Sequence, residues 1–234
     1  MKKLLVASTS TVYGSDYLAY LLPTLRTFFK GVKELLFIPY ARPGGISYDA
    51  YTQIALTAFA KIDIAVKGIH EFDNPKEALQ QATAIFTGGG NTFELVHQLY
   101  TKDVFETLKA VVEKGTSYLG TSAGSNICGV SMMNTNDMPI VYPPSFKTLA
   151  FIPFNINAHY IDPLKNDTHM GETRATRIKE FHEFNDTPVV GLREGSWLAV
   201  TGDTCVLQGK LSARVFQKNT APTEVVSGTI ISFN

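Results

Sequence analysis

The sequence predicts an α/β fold: a three-layer α/β/α sandwich on a mostly parallel sheet, with helices on both faces and antiparallel edge strands near the C-terminus. Three observations carry that expectation. Short apolar runs alternate with helical patterns through the first half of the chain, as they do where a parallel sheet is covered by helices. Two glycine-rich segments, GGG at 88–90 and GTSAG at 120–124, directly follow two of those runs. The last third instead holds short apolar runs separated by glycine, asparagine and lysine turns, the spacing of antiparallel neighbours.

Taken in order, Lys3–Ser8 reads as a first strand and Asp16–Phe29 as a helix. Glu34–Pro39 is a second strand, Tyr48–Lys61 a second helix and Asp63–Ile69 a third strand. The Asp73-Asn74-Pro75 turn opens a short helix. Ala84–Thr87 is a fourth strand running into the triple glycine, with helices at Thr92–Leu99 and Val104–Glu113 behind it. Thr116–Leu119 is a fifth strand and leads into GTSAG. Phe154–His159 alternates like a strand, and Val189–Leu192, Ser196–Val200, Thr204–Leu207 and Arg214–Phe216 read as an antiparallel edge of the same sheet. No repeat or linker interrupts the chain, so residues 1–234 are expected to form one domain.

The composition is that of a globular protein: 44% hydrophobic and 18% charged residues supply a core and a solvated surface. Lys+Arg and Asp+Glu are 21 each, so no basic footprint favours a nucleic acid or an anionic membrane as partner. Two cysteines, Cys128 and Cys205, give no disulfide framework and fit a reducing compartment. The apolar run Leu4–Ala7 falls short of the roughly 7–15 residues of a signal-peptide core, and no run approaches the roughly 18 of a membrane span. The expectation is a soluble cytoplasmic protein. Its oligomeric state is left open, a homo-oligomer included.

Gly120-Thr121-Ser122-Ala123-Gly124 has the Gly-x-Ser-x-Gly spacing of a nucleophile elbow, in which a tight strand-to-helix turn exposes a serine hydroxyl. The same spacing also serves a plain glycine turn, so the serine needs partners elsewhere. In open α/β sheets, sites form beyond the carboxyl ends of the strands. Gly88–Gly90 lies at such an end, and its amides, with that of Ala123, suit an oxyanion hole; Asn91 or Thr92 serves as the cap of the next helix. Walker and dinucleotide-binding glycine patterns are not met.

Of the five histidines, His159 stands at the end of a strand-like run. His70, His97 and His182 read as surface or packing residues, and His169 lies in a polar loop. For the orienting acid, Asp162 is near His159 but sits in an Ile161-Asp162-Pro163 turn. Glu194 follows the strand Val189–Leu192 in a glycine-bounded corner. The histidines are scattered and no CxxC or His-Glu-x-x-His is present, so neither metal nor cofactor is expected.

With these residues identified, the chain resembles the peptidase E family, the serine-type α-aspartyl dipeptidases. The resemblance is carried by GGGNTF (88–93), GTSAGSN (120–126), NTNDMPIV (134–141), INAHY (156–160), GETRATRI (171–178) and GLREGSW (191–197), and it runs over most of the chain. It implies a class I glutamine-amidotransferase-like fold with Ser122 as nucleophile, His159 as base and Glu194 as orienting acid. Gly90 and Ala123 would donate to the oxyanion. It implies small peptide substrates with an N-terminal L-aspartate (Asp-X), whose side-chain carboxylate Arg174 would grip with its guanidinium fork. The competing role for Arg174 is a surface pair with Glu172 or Glu180. Asp137 matches the family's motif acid and would hold the substrate α-amine or shape its own loop.

Thr121 stands where relatives carry tryptophan, and Arg193 precedes the acid; both positions are expected to affect pocket shape. Two other readings share these residues. One is a cyanophycinase-like or isoaspartyl hydrolase acting on a β-linked peptide, and the other is a catalytically dead amidotransferase-like binding module. An amidotransferase proper is disfavoured because the elbow holds serine and the nearest cysteine is Cys128.

Overall fold

In the computed structural model, which describes residues 1–163 and 171–233, the chain begins with strand β1 (Lys3–Ala7), an interior strand of a seven-stranded sheet. The elements follow as helix α1 (Leu22–Phe28), β2 (Glu34–Ile38), α2 (Tyr48–Ala60), β3 (Ala65–Gly68), α3 (Pro75–Gln81) and β4 (Ala84–Thr87). Then come α4 (Thr92–Thr101), α5 (Phe105–Lys114), β5 (Ser117–Thr121) and the one-turn α6 (Ala123–Asn126). The C-terminal part holds β6 (Asn155–Ala158), α7 (Arg174–Phe184), β7 (Val189–Leu192), β8 (Ser196–Thr201), β9 (Thr204–Gly209), β10 (Ala213–Phe216) and β11 (Thr223–Val225).

The large sheet has the order β3-β2-β4-β5-β1-β8-β9. Its first five strands are parallel, and β8 and β9 close the edge antiparallel. Alternation along β1 shows how the layers arise: Leu4 and Val6 face one apolar core while Leu5 and Ala7 face another. The first core takes in Leu79 of α3, Leu95 and Leu99 of α4, and Leu108 and Val112 of α5. The second takes in Leu25 of α1 and Ala55 and Phe59 of α2. Buried on both faces, these strands are apolar at nearly every position, as parallel strands must be.

The C-terminal strands depart from the single-sheet expectation. Of the four runs read as one edge, β8 and β9 join the large sheet. The other two, β7 and β10, pair with β6 and β11 in a separate four-stranded sheet of order β11-β10-β7-β6. Ile156, Val190, Leu192 and Val215 of that sheet pack into the same core as α4 and α5, while Ile178 and Phe181 of α7 cover its outer side with Val189 and Phe216. The chain passes from one sheet to the other in the three residues between Leu192 and Ser196. Ser8 N–H and the Ser196 carbonyl hydrogen-bond there at 3.1 Å.

One helix and one strand are also shorter than expected. Asp16–Leu21 forms turns, with Leu18 at φ 58°, and α1 starts where Pro23, lacking an N–H, fits the first turn. The third strand starts late because Asp63 turns at φ 61°. No helix among the described residues is long and apolar enough to cross a membrane.

Candidate active site

Ser122 occupies the turn between β5 and α6 at φ 53° and ψ −112°, a conformation that residues with a side chain adopt only when the surroundings impose it. Packing imposes it here. A Cβ on Gly120 would lie 2.4 Å from the Gly124 carbonyl oxygen, and one on Gly124 would lie 2.2 Å from that of Thr87. The two glycines therefore let α6 fold back tightly on β5 and β4, which leaves the serine at the apex. The Ala7 carbonyl holds this elbow from below, accepting from Ser122 N–H at 3.2 Å and from Ser125 Oγ at 2.6 Å.

His159 and Glu194 reach the same place from the second sheet. Strands β6 and β7 are parallel neighbours, with Ala158 opposite Leu192, so the residues that follow them emerge side by side. His159 Nε2 lies 3.0 Å from Ser122 Oγ, and its Nδ1 lies 2.6 Å from Glu194 Oε1. With the Nδ1 proton given to the carboxylate, Nε2 is the ring atom able to accept the serine proton. The side chains of His159 and Glu194 are 37% and 46% exposed, so burial alone does not fix them.

The glycine loop after β4 runs against the elbow. A Cβ on Gly89 would meet the Ser122 Cβ at 2.9 Å, and one on Gly90, at φ 144°, would lie 2.1 Å from the Ala41 carbonyl oxygen. Asn91, not Thr92, caps α4, accepting from Glu94 N–H, and its own N–H donates to the Ala41 carbonyl. Among the described residues, the Gly90 and Ala123 amides donate to no backbone acceptor.

Asp137 lies at the start of α4, where its Oδ2 accepts from Thr92 N–H at 2.7 Å and from the Thr135 hydroxyl at 3.1 Å. Arg174 opens α7 and makes no ion pair among the described residues. Its burial, together with the Arg177 charge, depresses its guanidinium below the usual range, and the nearby Asp137 carboxylate opposes that shift. A buried network joins these parts: Asn126 Nδ2 donates to Thr92 Oγ1 at 3.0 Å, and Asn126 Oδ1 accepts from Ala158 N–H at 3.3 Å.

His70 and His182 make their contacts away from this cluster. His70 pairs with Asp49 at 2.8 Å, and His182 contacts the Thr187 carbonyl at 3.0 Å. His97 is within α4, and His169 lies outside the described residues. Asp162, the alternative acid, bonds to Arg193 instead of His159. Cys128 is buried behind the elbow, which pushes its thiol far above the usual range.

The model of peptidase family S51 matches residues 4–208 of this chain. The chain belongs to peptidase family S51. It is a serine-type peptidase. It is 47% identical to Peptidase E of Streptomyces coelicolor over 98% of its own length and 93% of the relative's. It is 39% identical to the Drosophila melanogaster protein named "Probable alpha-aspartyl dipeptidase", over 99% and 97% of the two chains. The fold is similar to that of a peptidase from an acI-B1 Actinobacterium, with a TM-score of 0.75 at 18% identity, covering 100% of this chain and 97% of that one.

In this family S51 chain, the two positions expected to reshape the pocket differ: the Thr121 hydroxyl has no hydrogen-bond partner among the described residues, whereas the Arg193 guanidinium is fully engaged. Thr121 is fully buried, turned away from solvent beside the elbow. Arg193 is gripped from two sides. It donates through Nε and Nη2 to both oxygens of Asp162, through Nη1 and Nη2 to Glu224, and through Nη1 to the Ser212 carbonyl. These bonds hold the Asp162 and Glu224 carboxyls below the usual carboxylate range.

One residue with a part in this geometry escaped the sequence reading: Ser8, whose buried hydroxyl touches the backbone of both His159 and Leu192. Its signal was position, a polar residue directly after the apolar run of β1.

Proposed function

We propose that this peptidase hydrolyses dipeptides with an N-terminal L-aspartate through an acyl-enzyme on Ser122. The observation that carries the proposal is the unbroken chain of contacts from Ser122 Oγ through the His159 ring to Glu194 Oε1, at 3.0 and 2.6 Å. A dead binding module has no need of it.

In this mechanism His159 Nε2 takes the Ser122 hydroxyl proton as Oγ bonds to the scissile carbonyl carbon. The negative charge that develops on the carbonyl oxygen is met by the Gly90 and Ala123 amides. As the tetrahedral intermediate collapses, the C–N bond breaks and His159 passes its proton to the leaving amine. Water then attacks the aspartyl ester as His159 takes its proton; the bond between the acyl carbon and Ser122 Oγ breaks, and His159 returns the proton to Oγ. Glu194 keeps the Nδ1 proton in place and stabilises the imidazolium.

Arg174, buried in part and unpaired with any carboxylate among the described residues, is our candidate for the aspartyl side-chain carboxylate. The bonds of Asp137 to Thr92 and Thr135 favour the loop-shaping role for it over a grip on the substrate amine. The buried, unpaired state of both cysteines supports a cytosolic location.

The test is a panel of α-Asp-Leu, β-Asp-Leu, Asn-Leu and Glu-Leu. The proposal expects cleavage of α-Asp-Leu well above the rest, and expects Arg174→Met to lose about 10- to 100-fold on α-Asp-Leu, the worth of a charged hydrogen-bonded contact. Preference for β-Asp-Leu overturns it in favour of an isoaspartyl hydrolase.

A further inference from the structure

We infer that Ser8 is a positioning residue of the active site: its single buried hydroxyl sets His159 and the Glu194 corner in register with Ser122. The inference rests on the Ser122–His159–Glu194 reading above and deepens it.

Ser8 directly follows β1 and is fully buried. Its Oγ–H donates to the Leu192 carbonyl at 2.6 Å, and the same oxygen accepts from His159 N–H at 2.9 Å. One atom thus ties the ends of β6 and β7 to the exit of β1, an interior strand of the other sheet. Its neighbour completes the junction, because the Ala7 carbonyl accepts from both Ser122 N–H and Ser125 Oγ. All three proposed catalytic residues are therefore referred to two consecutive residues of β1 and its exit: Ser122 through Ala7, His159 directly through Ser8, and Glu194 through Leu192.

Two features make this anchoring necessary. The His159 and Glu194 side chains are only partly buried, so burial alone does not orient them. His159 also stands at φ 53°, in the left-handed region that a non-glycine residue holds only when other contacts fix it. The bond from its N–H to Ser8 is such a contact. No other intramolecular hydrogen bond crosses directly from β1 or its exit to the backbone of His159 among the described residues. Alanine at position 8 leaves a donor and an acceptor without this partner at the point where the two sheets meet.

The expected result for Ser8→Ala is a kcat on Asp-Leu lower by about 10- to 100-fold per active site, the range that a misplacement of catalytic groups produces. KM should stay within about twofold, since no substrate contact is removed. Active sites are counted by burst titration with a fluorophosphonate after prolonged labelling, so that loss of folded enzyme is separated from loss of rate. Labelling of the remaining sites should slow in parallel with kcat. The His159 Nδ1 proton, read by NMR as a low-field resonance, should shift or broaden. Ser8→Thr, which keeps the hydroxyl, should recover most of the rate.

A Ser8→Ala enzyme with wild-type turnover and labelling rate per titrated site overturns the inference, as does a loss confined to the number of folded sites. Ser122→Ala run alongside separates the two levels. If it stays active, the triad reading has failed; if it is inactive while Ser8→Ala turns over normally per site, only the role of Ser8 has failed.

Discussion

At Ser122 the backbone is held in a conformation that costs on the order of 1–3 kcal/mol for a residue with a side chain, and the close approaches at Gly120 and Gly124 are what hold it there. The hydroxyl is thereby fixed against His159 before any substrate arrives. Glu194→Gln keeps the size of the acid but removes its charge and favours the wrong imidazole tautomer, so kcat on Asp-Leu should fall by about 10³- to 10⁴-fold with little change in unfolding temperature. Gly89→Ala directs a methyl at the Ser122 Cβ rather than at a hydrophobic core. Its expected effect is a loss of turnover of about 100-fold, measured per folded molecule. At this scale much was legible. Ser122, His159 and Glu194 each follow an apolar run at a strand's carboxyl end, where sites in such sheets gather. Ser8 follows one too, but a serine after a strand has no sequence partner to distinguish it from a turn former. Its two bonds exist only once the second sheet is docked.

The start of α4 is where an element meets the chemistry, because Gly90 immediately precedes its Asn91 cap. Asp137 adds a second cap from a distant loop through Thr92 N–H. Asp137→Ala should cost about 1 kcal/mol in urea unfolding. Asp137→Asn, still able to accept that bond, should recover most of it and leave KM for Asp-Leu near wild type; a raised KM would point instead to a grip on the substrate α-ammonium. Beside the acid, Arg193 holds Asp162 and Glu224 with their carboxyls depressed. Groups of that kind contribute stability that is full above the ordinary carboxylate range, about pH 4, and is lost as pH falls through their lowered values. The gap in unfolding temperature between wild type and Arg193→Met should therefore be widest near neutrality and narrow on acidification; a gap constant to pH 3 would contradict it. Element types were readable from periodicity, whereas their partners were not. The runs 189–192 and 214–216 look like 196–200 and 204–207, and only the parallel pairing of β7 with β6 sends the first pair to another sheet. The start of α1 was missed because Leu18 turns with positive φ, which a leucine does not advertise.

For the whole molecule, the two cores share strands: β1 alone contributes Leu4 and Val6 to one and Leu5 and Ala7 to the other. Neither core survives loss of the sheet between them, so calorimetry should give one transition with matching calorimetric and van't Hoff enthalpies. Two resolved transitions would divide the chain into separate units. The layered class was legible because strands buried on both faces are apolar at nearly every position, while the docking of the second sheet depends on contacts between segments far apart in sequence. That docking brings a serine from one sheet against a histidine and a glutamate from the other. The claim that this meeting is the catalytic centre is tested most directly by kcat/KM of Ser122→Ala on α-Asp-Leu. The account predicts a fall of about 10⁴-fold or more in a protein with wild-type unfolding temperature. Activity retained within tenfold would contradict it.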